Sequence, residues 1–190
     1  MSYYFSRIRN VWYLQCLIWT EKSRHKQLIV GKNVRFNVPV RGGGEGTLII
    51  GNRNSLGYRP APRLGTGEIL LQARHPDAII TIGEANAFNN NVSFLANGQI
   101  TIGDRCQIGD LVCIYDCDFH EIDPATRNRS AGITKPVIIG NNVWLGSRVM
   151  VLKGVTIGDN SVIAAASVVT KSIPSNCIAA GNPAKVIRTI

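Results

Sequence analysis

His120 stands in the segment Asp116-Cys117-Asp118-Phe119-His120-Glu121-Ile122-Asp123-Pro124, with four carboxylates within four residues of it. A carboxylate that accepts an imidazole N–H fixes the tautomer and raises the basicity of the other ring nitrogen. A neutral histidine prepared in that way can take a proton from a hydroxyl. The competing reading is a surface histidine in an acidic turn, and residue chemistry alone leaves both standing. The other histidines offer less. His25 lies in the basic run Lys22-Ser23-Arg24-His25-Lys26, and His75 precedes Pro76 in a turn. Cys113, Cys117 and His120 are near neighbours, but their spacing fits no closed zinc pattern, so no metal is expected. The five cysteines (16, 106, 113, 117 and 177) are odd in number and show no paired spacing, which suits a reducing compartment. Cys106 falls at an inward position as a small apolar residue.

His120 marks the place where a repeat breaks. From Ile139 onward an aliphatic residue returns every sixth position: Ile139, Leu145, Val151, Ile157, Ile163, Val169. An α-helix repeats at 3.6 residues and an alternating strand at 2, so a period of six is neither. It suits a chain that turns a corner every six residues, a parallel β-helix. The first position of each unit points inward, and Gly or Ala usually follows it. Gly, Asn and Asp at the corners tolerate a left-handed φ. Upstream, Val30-Gly31, Ile50-Gly51, Ile82-Gly83 and Ile102-Gly103 carry the same signature. Three units make a coil of eighteen residues, the step from Ile139 to Ile157. The longer steps, 50 to 82 and 102 to 139, predict loops around Tyr58–Arg63 and Glu121–Pro136. About six coils give a rod about 30 Å long at the strand spacing. A sandwich with Gly-punctuated strands is the alternative, and six consecutive sixes argue against it. The period does not give the hand, since parallel crossovers are normally right-handed.

The expected division is a basic, aromatic N-terminal segment (1–27), the β-helix (28–175) and a C-terminal extension (176–190). Residues 1–41 hold eight basic residues against Glu21 alone, a balance of +7 within a net charge of +9. Val11 to Trp19 is strongly apolar but too short to span a bilayer. No small-residue cleavage site follows it. It reads as a short helix that caps the open end of the solenoid or packs on another subunit. The alternative is peripheral contact with an anionic membrane face. No nucleic-acid-binding module is present.

The stretches Asp118 to Pro124, Ile133 to Gly146, Gly154 to Ile163, Ser167 to Lys171 and Ile178 to Arg188 resemble the hexapeptide-repeat acyltransferases, close to the galactoside, maltose and polysaccharide O-acetyltransferases. The close match covers about residues 100–190 and weakens back to about residue 28. The resemblance implies an all-β chain, a left-handed parallel β-helix with a short N-terminal helix and an inserted loop near 121–136. It implies a homotrimer with acetyl-CoA, the co-substrate, in the cleft between subunits.

The family's catalytic histidine falls on His120. It would take the proton from an acceptor hydroxyl during direct transfer and return one to the departing thiolate. Asp118, Glu121 or Asp123 would orient the imidazole. Glu121 departs from the family, in which Pro often follows the histidine. Trp144, Gly146, Ser147 and Ala165 (with Ala164 and Ala166) would flank the pantetheine arm, and Thr170, Lys171, Lys185 and Arg188 the nucleotide. Each of these last four can equally be a solvated surface group, and the Ala run can simply relieve crowding in a narrow prism. Asn91 would contact the acceptor, or else belong to a corner ladder. The implied function is O-acetylation of a sugar hydroxyl in surface polysaccharide or lipopolysaccharide assembly, in the cytoplasm or at the inner face of the membrane. An amino-sugar N-acetyltransferase and a non-catalytic β-helix scaffold are the alternatives. A γ-carbonic-anhydrase-like site needs three metal-binding histidines that this chain does not present.

Overall fold

In a computed structural model of the protein, residues 8, 10–17, 27–62 and 64–190 are described. The sixfold period becomes six three-stranded coils. The first holds β1 (Gln27–Val30), β2 (Arg35–Phe36) and β3 (Val40–Arg41), and the second β4 (Thr47–Ile50), β5 (Ser55–Leu56) and β6 (Ile69–Ala73). The third holds β7 (Ile79–Ile82), β8 (Ala87–Phe88) and β9 (Ser93–Ala96), and the fourth β10 (Gln99–Ile102), β11 (Gln107–Ile108) and β12 (Cys113–Tyr115). The fifth is β13 (Val137–Ile139), β14 (Trp144–Leu145) and β15 (Met150–Val151), and the sixth β16 (Thr156–Ile157), β17 (Val162–Ile163) and β18 (Val168–Val169). β19 (Cys177–Gly181) and β20 (Ala184–Thr189) follow.

Like strands stack into three sheets, the faces of a triangular prism. Face A carries β1, β4, β7, β10, β13 and β16. Face B carries β2, β5, β8, β11, β14, β17, β19 and β20. Face C carries β3, β6, β9, β12, β15 and β18.

The register matches the sequence spacing. Val30 pairs with Ile50, Ile50 with Ile82, Ile82 with Ile102, Ile102 with Ile139 and Ile139 with Ile157. Each irregular step of twenty, thirty-two or thirty-seven residues is therefore one coil plus an excursion. A second inward column runs Phe36, Leu56, Phe88, Ile108, Leu145, Ile163. These residues are buried, and each coil covers its neighbour in one continuous core.

The corners differ from expectation in one respect. Left-handed φ occurs at Asn33, Asn142 and Asn160, but also at Arg53, Ala85, Arg105, Leu111, Arg148 and Ala166. The stacked coils impose the corner geometry even where the residue type disfavours it. Inside the first corner, Asn54 Nδ2 donates to the Gly51 and Gly83 carbonyls, and its Oδ1 accepts from Asn86 N. Asn86 Oδ1 in turn accepts from Cys106 N, and the Cys106 thiol donates to Gly140 O. Burial pushes that thiol from 9.0 up to about 11.

Residues 10–17 are helical, and Leu17 is fully buried, with Tyr13 and Leu14 packed on the core. Asn10 Oδ1 accepts from Phe36 N. The segment thus covers the first coil, as a solenoid end requires. Ile18, Trp19 and every Lys and Arg before position 27 lie outside the described residues. At the other end β19 pairs in parallel with β17, and β20 turns back antiparallel upon it.

Candidate active site

The long loop between β12 and β13 leaves the prism at the edge where face C meets face A. A short neck holds its base. Cys117 and Thr134 form an antiparallel bridge, Asp118 N donates to Ile133 O (3.2 Å) and Lys135 N to Asp116 O (2.8 Å). Cys117 Sγ accepts from Asn97 Nδ2 and Phe119 N and donates to Ala131 O. Phe119 has a left-handed φ of 64°. Its ring meets Tyr115 edge-on at 5.7 Å, and the Arg74 guanidinium lies 4.6 Å from its centroid. Gly132, with φ +72°, packs so closely that a Cβ there would lie 2.3 Å from the His120 carbonyl. The backbone of His120 is therefore fixed on both sides, while its side chain is exposed.

None of the nearby carboxylates bonds to the imidazole among the described residues. Asp116 is fully buried and caps a corner, accepting from Asn97 N and Gly98 N. Glu121 accepts from Ser130 Oγ (2.6 Å), and Asp123 accepts from Ala125 N (2.9 Å). Asp118 is ion-paired through Oδ1 to Lys153, and its buried Oδ2 has no hydrogen-bond partner. Among these four, Asp118 is thus the carboxylate with a buried, unpartnered oxygen.

The other expected site residues lie elsewhere on the prism. Trp144 is 56 % exposed on face B. Gly146, Ser147 and Ala165 follow at the edge between faces B and C. Ser147 Oγ donates to Asp110 Oδ1, and a Cβ at Gly146 would lie 2.6 Å from Ala165 N. Thr170 and Lys171 are exposed on the same edge as His120, one coil or more further on. Lys185 and Arg188 are exposed on β20.

The C–A edge is the vertex opposite face B. His120 therefore leaves the prism at the vertex opposite the face that carries Trp144. Among the described residues no group of His, Cys, Asp or Glu is arranged to hold a metal, and His25 lies outside them.

Asn91 sits at a corner with φ 59°, its amide engaged by Leu64 N (3.3 Å) and Pro62 O (3.3 Å). Its neighbour Asn89 instead faces a cavity of about 330 Å³ on face B, with Ser55, Tyr58, Ala87, Gln107 and Trp144. Sequence reasoning missed Asn89 and Tyr58. The only hint was the thirty-two-residue step that carries the loop.

A family model described as "Bacterial transferase hexapeptide (six repeats)" matches residues 136–171. The galactoside O-acetyltransferase of Escherichia coli (strain K12) is 44% identical over 111 residues, 58% of this chain and 54% of that protein. The chain spans about half the length of the curated relatives it matches. A galactoside acetyltransferase solved in complex with coenzyme A superposes with a TM-score of 0.61 at 32% identity, covering 89% of this chain and 67% of that one. A polysialic acid O-acetyltransferase gives a TM-score of 0.64 at 26% identity, with 87% of each chain covered. The six stacked coils, the period and these likenesses agree: the chain belongs to the hexapeptide-repeat acetyltransferases and is built on their left-handed parallel β-helix.

Proposed function

We propose that this chain transfers the acetyl group of acetyl-CoA to a saccharide hydroxyl in surface-polysaccharide assembly, with His120 as the general base. The observation that carries this reading is the mounting of His120: a fixed backbone, an exposed imidazole and a neighbouring carboxylate with a free oxygen. Acetyl-CoA supplies an activated thioester. His120 removes the proton from the attacking hydroxyl and gives it to the thiolate that leaves. Asp118 orients the ring through Oδ2 once the two are brought together.

The residues on face B and at the B–C edge fit a thin ligand. Trp144 is exposed on face B, and Ala165, with only a methyl side chain, is exposed at the B–C edge. Lys185 and Arg188 suit phosphates. Because His120 occupies the opposite vertex, the site forms between copies, one giving His120 with Thr170 and Lys171 and its neighbour giving Trp144. A closed trimer satisfies that head-to-tail contact. The likeness to a polysialic acid O-acetyltransferase supports a glycan acceptor.

Ile8, Val11 and Trp12 are exposed on the N-terminal segment, within the stretch that carries +7. We assign them to contact with an anionic membrane surface. No described helix is long and apolar enough to cross a membrane. Trp12→Glu should abolish sedimentation with anionic vesicles.

His120→Ala should lower transfer about 10²–10⁴-fold while the fold and assembly persist. An unchanged rate overturns the base assignment. Mixing His120→Ala with Trp144→Ala chains should restore activity at about one quarter of the interfaces, as random assembly of a head-to-tail ring requires. Independent single-chain sites would restore none.

A further inference from the structure

Phe119 directly precedes His120, and it holds a backbone conformation that suits it poorly. Its φ of 64° lies in the left-handed region, which glycine enters freely and a bulky residue does not. The turn alone therefore gives no reason for an aromatic ring at this position. The contacts of the ring do. It meets Tyr115 edge-on at 5.7 Å, with 77° between the planes, and the Arg74 guanidinium lies over it, 4.6 Å from its centroid.

Arg74 reaches this ring from two coils away. It follows β6 in the second coil, whereas Phe119 follows β12 in the fourth. Between them an outward column of face C runs Gln72, Leu95, Tyr115. That is two steps at the strand spacing, or about 10 Å. The third coil turns the same edge in the short step Asn97-Gly98. Asn97 sends its amide to Cys117 Sγ (3.0 Å) and Gly98 carries no side chain, so the edge stays low there and Arg74 crosses it. Arg74 is also held along its own length. Its backbone N donates to Ala96 O (2.8 Å), and its Nε donates to Gln72 Oε1 (2.8 Å). Gln72 in turn lies against Gly43, where a Cβ would sit 3.0 Å from Nε2. Arg74 is exposed, yet its stem is fixed at two points and its head rests on a ring.

We infer that Arg74 is a positioning residue for His120: through the Phe119 ring it sets the direction in which the imidazole leaves the loop. The inference rests on the reading of His120 as the base and adds a residue that acts through a neighbour rather than on a substrate. The imidazole is exposed, so its direction follows from its backbone. Gly132 bears on the His120 carbonyl from one side. The residue before it is held from the other side by Arg74 and Tyr115, which belong to the prism and not to the loop.

The test is the split between kcat and KM. Arg74→Ala should lower kcat about 10–100-fold, the loss expected when a catalytic group is displaced by about 1 Å. The KM for acetyl-CoA and for the saccharide should each stay within about twofold. Phe119→Gly should do the same. Glycine takes a φ of 64° at no cost, so this variant keeps the turn and loses the ring. Phe119→Tyr keeps the ring and should stay within about threefold of the parent. The Arg74→Ala/Phe119→Gly double variant should be little slower than either alone, because both remove one contact.

An unchanged kcat in Arg74→Ala overturns the inference while acetyl transfer stands. So does a raised saccharide KM with kcat kept, which would make Arg74 a substrate contact. If the parent acetylates no saccharide, or His120→Ala keeps the parent rate, the transfer or base reading fails instead. Amide NMR relaxation then still decides the brace. The order parameter at His120 should fall from a rigid value of about 0.85 in the parent to a lower one in Arg74→Ala and Phe119→Gly, and equal values in all three overturn it.

Discussion

Lys153, at the C–A corner of the fifth coil, donates a charged hydrogen bond to Asp118, two residues before His120. Both side chains are about one quarter exposed, so the pair is half-shielded and ties the neck of the loop between β12 and β13 to the rigid prism. Lys153→Met should cost about 1–2 kcal/mol, between the values for surface and buried pairs. Transfer should fall about tenfold through kcat, because the loop that carries His120 loses its anchor. Thermal unfolding and kcat measured together check this: a lower Tm with kcat unchanged would give the pair a structural role only.

Gly132→Ala forces a Cβ against the His120 carbonyl at a backbone angle that disfavours side chains. The strain should cost about 1–3 kcal/mol. His120 should shift, so kcat should fall well beyond any change in the KM for either substrate. Retained kcat would show that the loop absorbs the displacement elsewhere.

Among the described residues of the N-terminal cap, Leu17 is fully buried. Leu17→Ala should destabilise the chain by about 2–5 kcal/mol. Solenoid coils are coupled mainly to their neighbours, so the damage should be local. Amide exchange should accelerate in residues 27–41 and stay unchanged in 137–169.

Cys106 makes a prediction about alkaline pH. Burial holds its thiol at about 11 in the folded chain, against an ordinary 9.0. The folded state therefore keeps a proton that the unfolded state releases. This stability is fully present below about pH 9 and is lost as pH rises through 11. Cys106→Ser keeps a donor for Gly140 O and does not titrate there, so its Tm should decline less between pH 9 and 11. Tyr115, raised to about 12 chiefly by burial, is common to both proteins and cancels in the comparison.

From Ile139 onward the inward column was legible in the sequence because an aliphatic returns every sixth position, and upstream Phe36 and Phe88 take the same place across irregular steps. The place of His120 at the root of a loop was legible because the repeat visibly breaks beside it. Which neighbouring carboxylate keeps a buried, unpartnered oxygen was not legible: Asp118 is set apart by its ion pair to Lys153, thirty-five residues away. The three consecutive asparagines make the same point. Asn89 faces the cavity, Asn90 lies under the Tyr58 loop and Asn91 turns the corner. Only the coil register separates them. The cavity was likewise invisible, since its floor is drawn from four different coils.

The two ends of the prism are finished differently from its sides. One is plugged by residues 10–17, and the other stops its parallel ladder at β20, a reversed strand carrying Lys185 and Arg188. A charged, reversed edge discourages further pairing. On face B the stack of strands therefore ends on an edge that offers a second copy little to pair with, and the flanks of the prism are left as the broader surfaces.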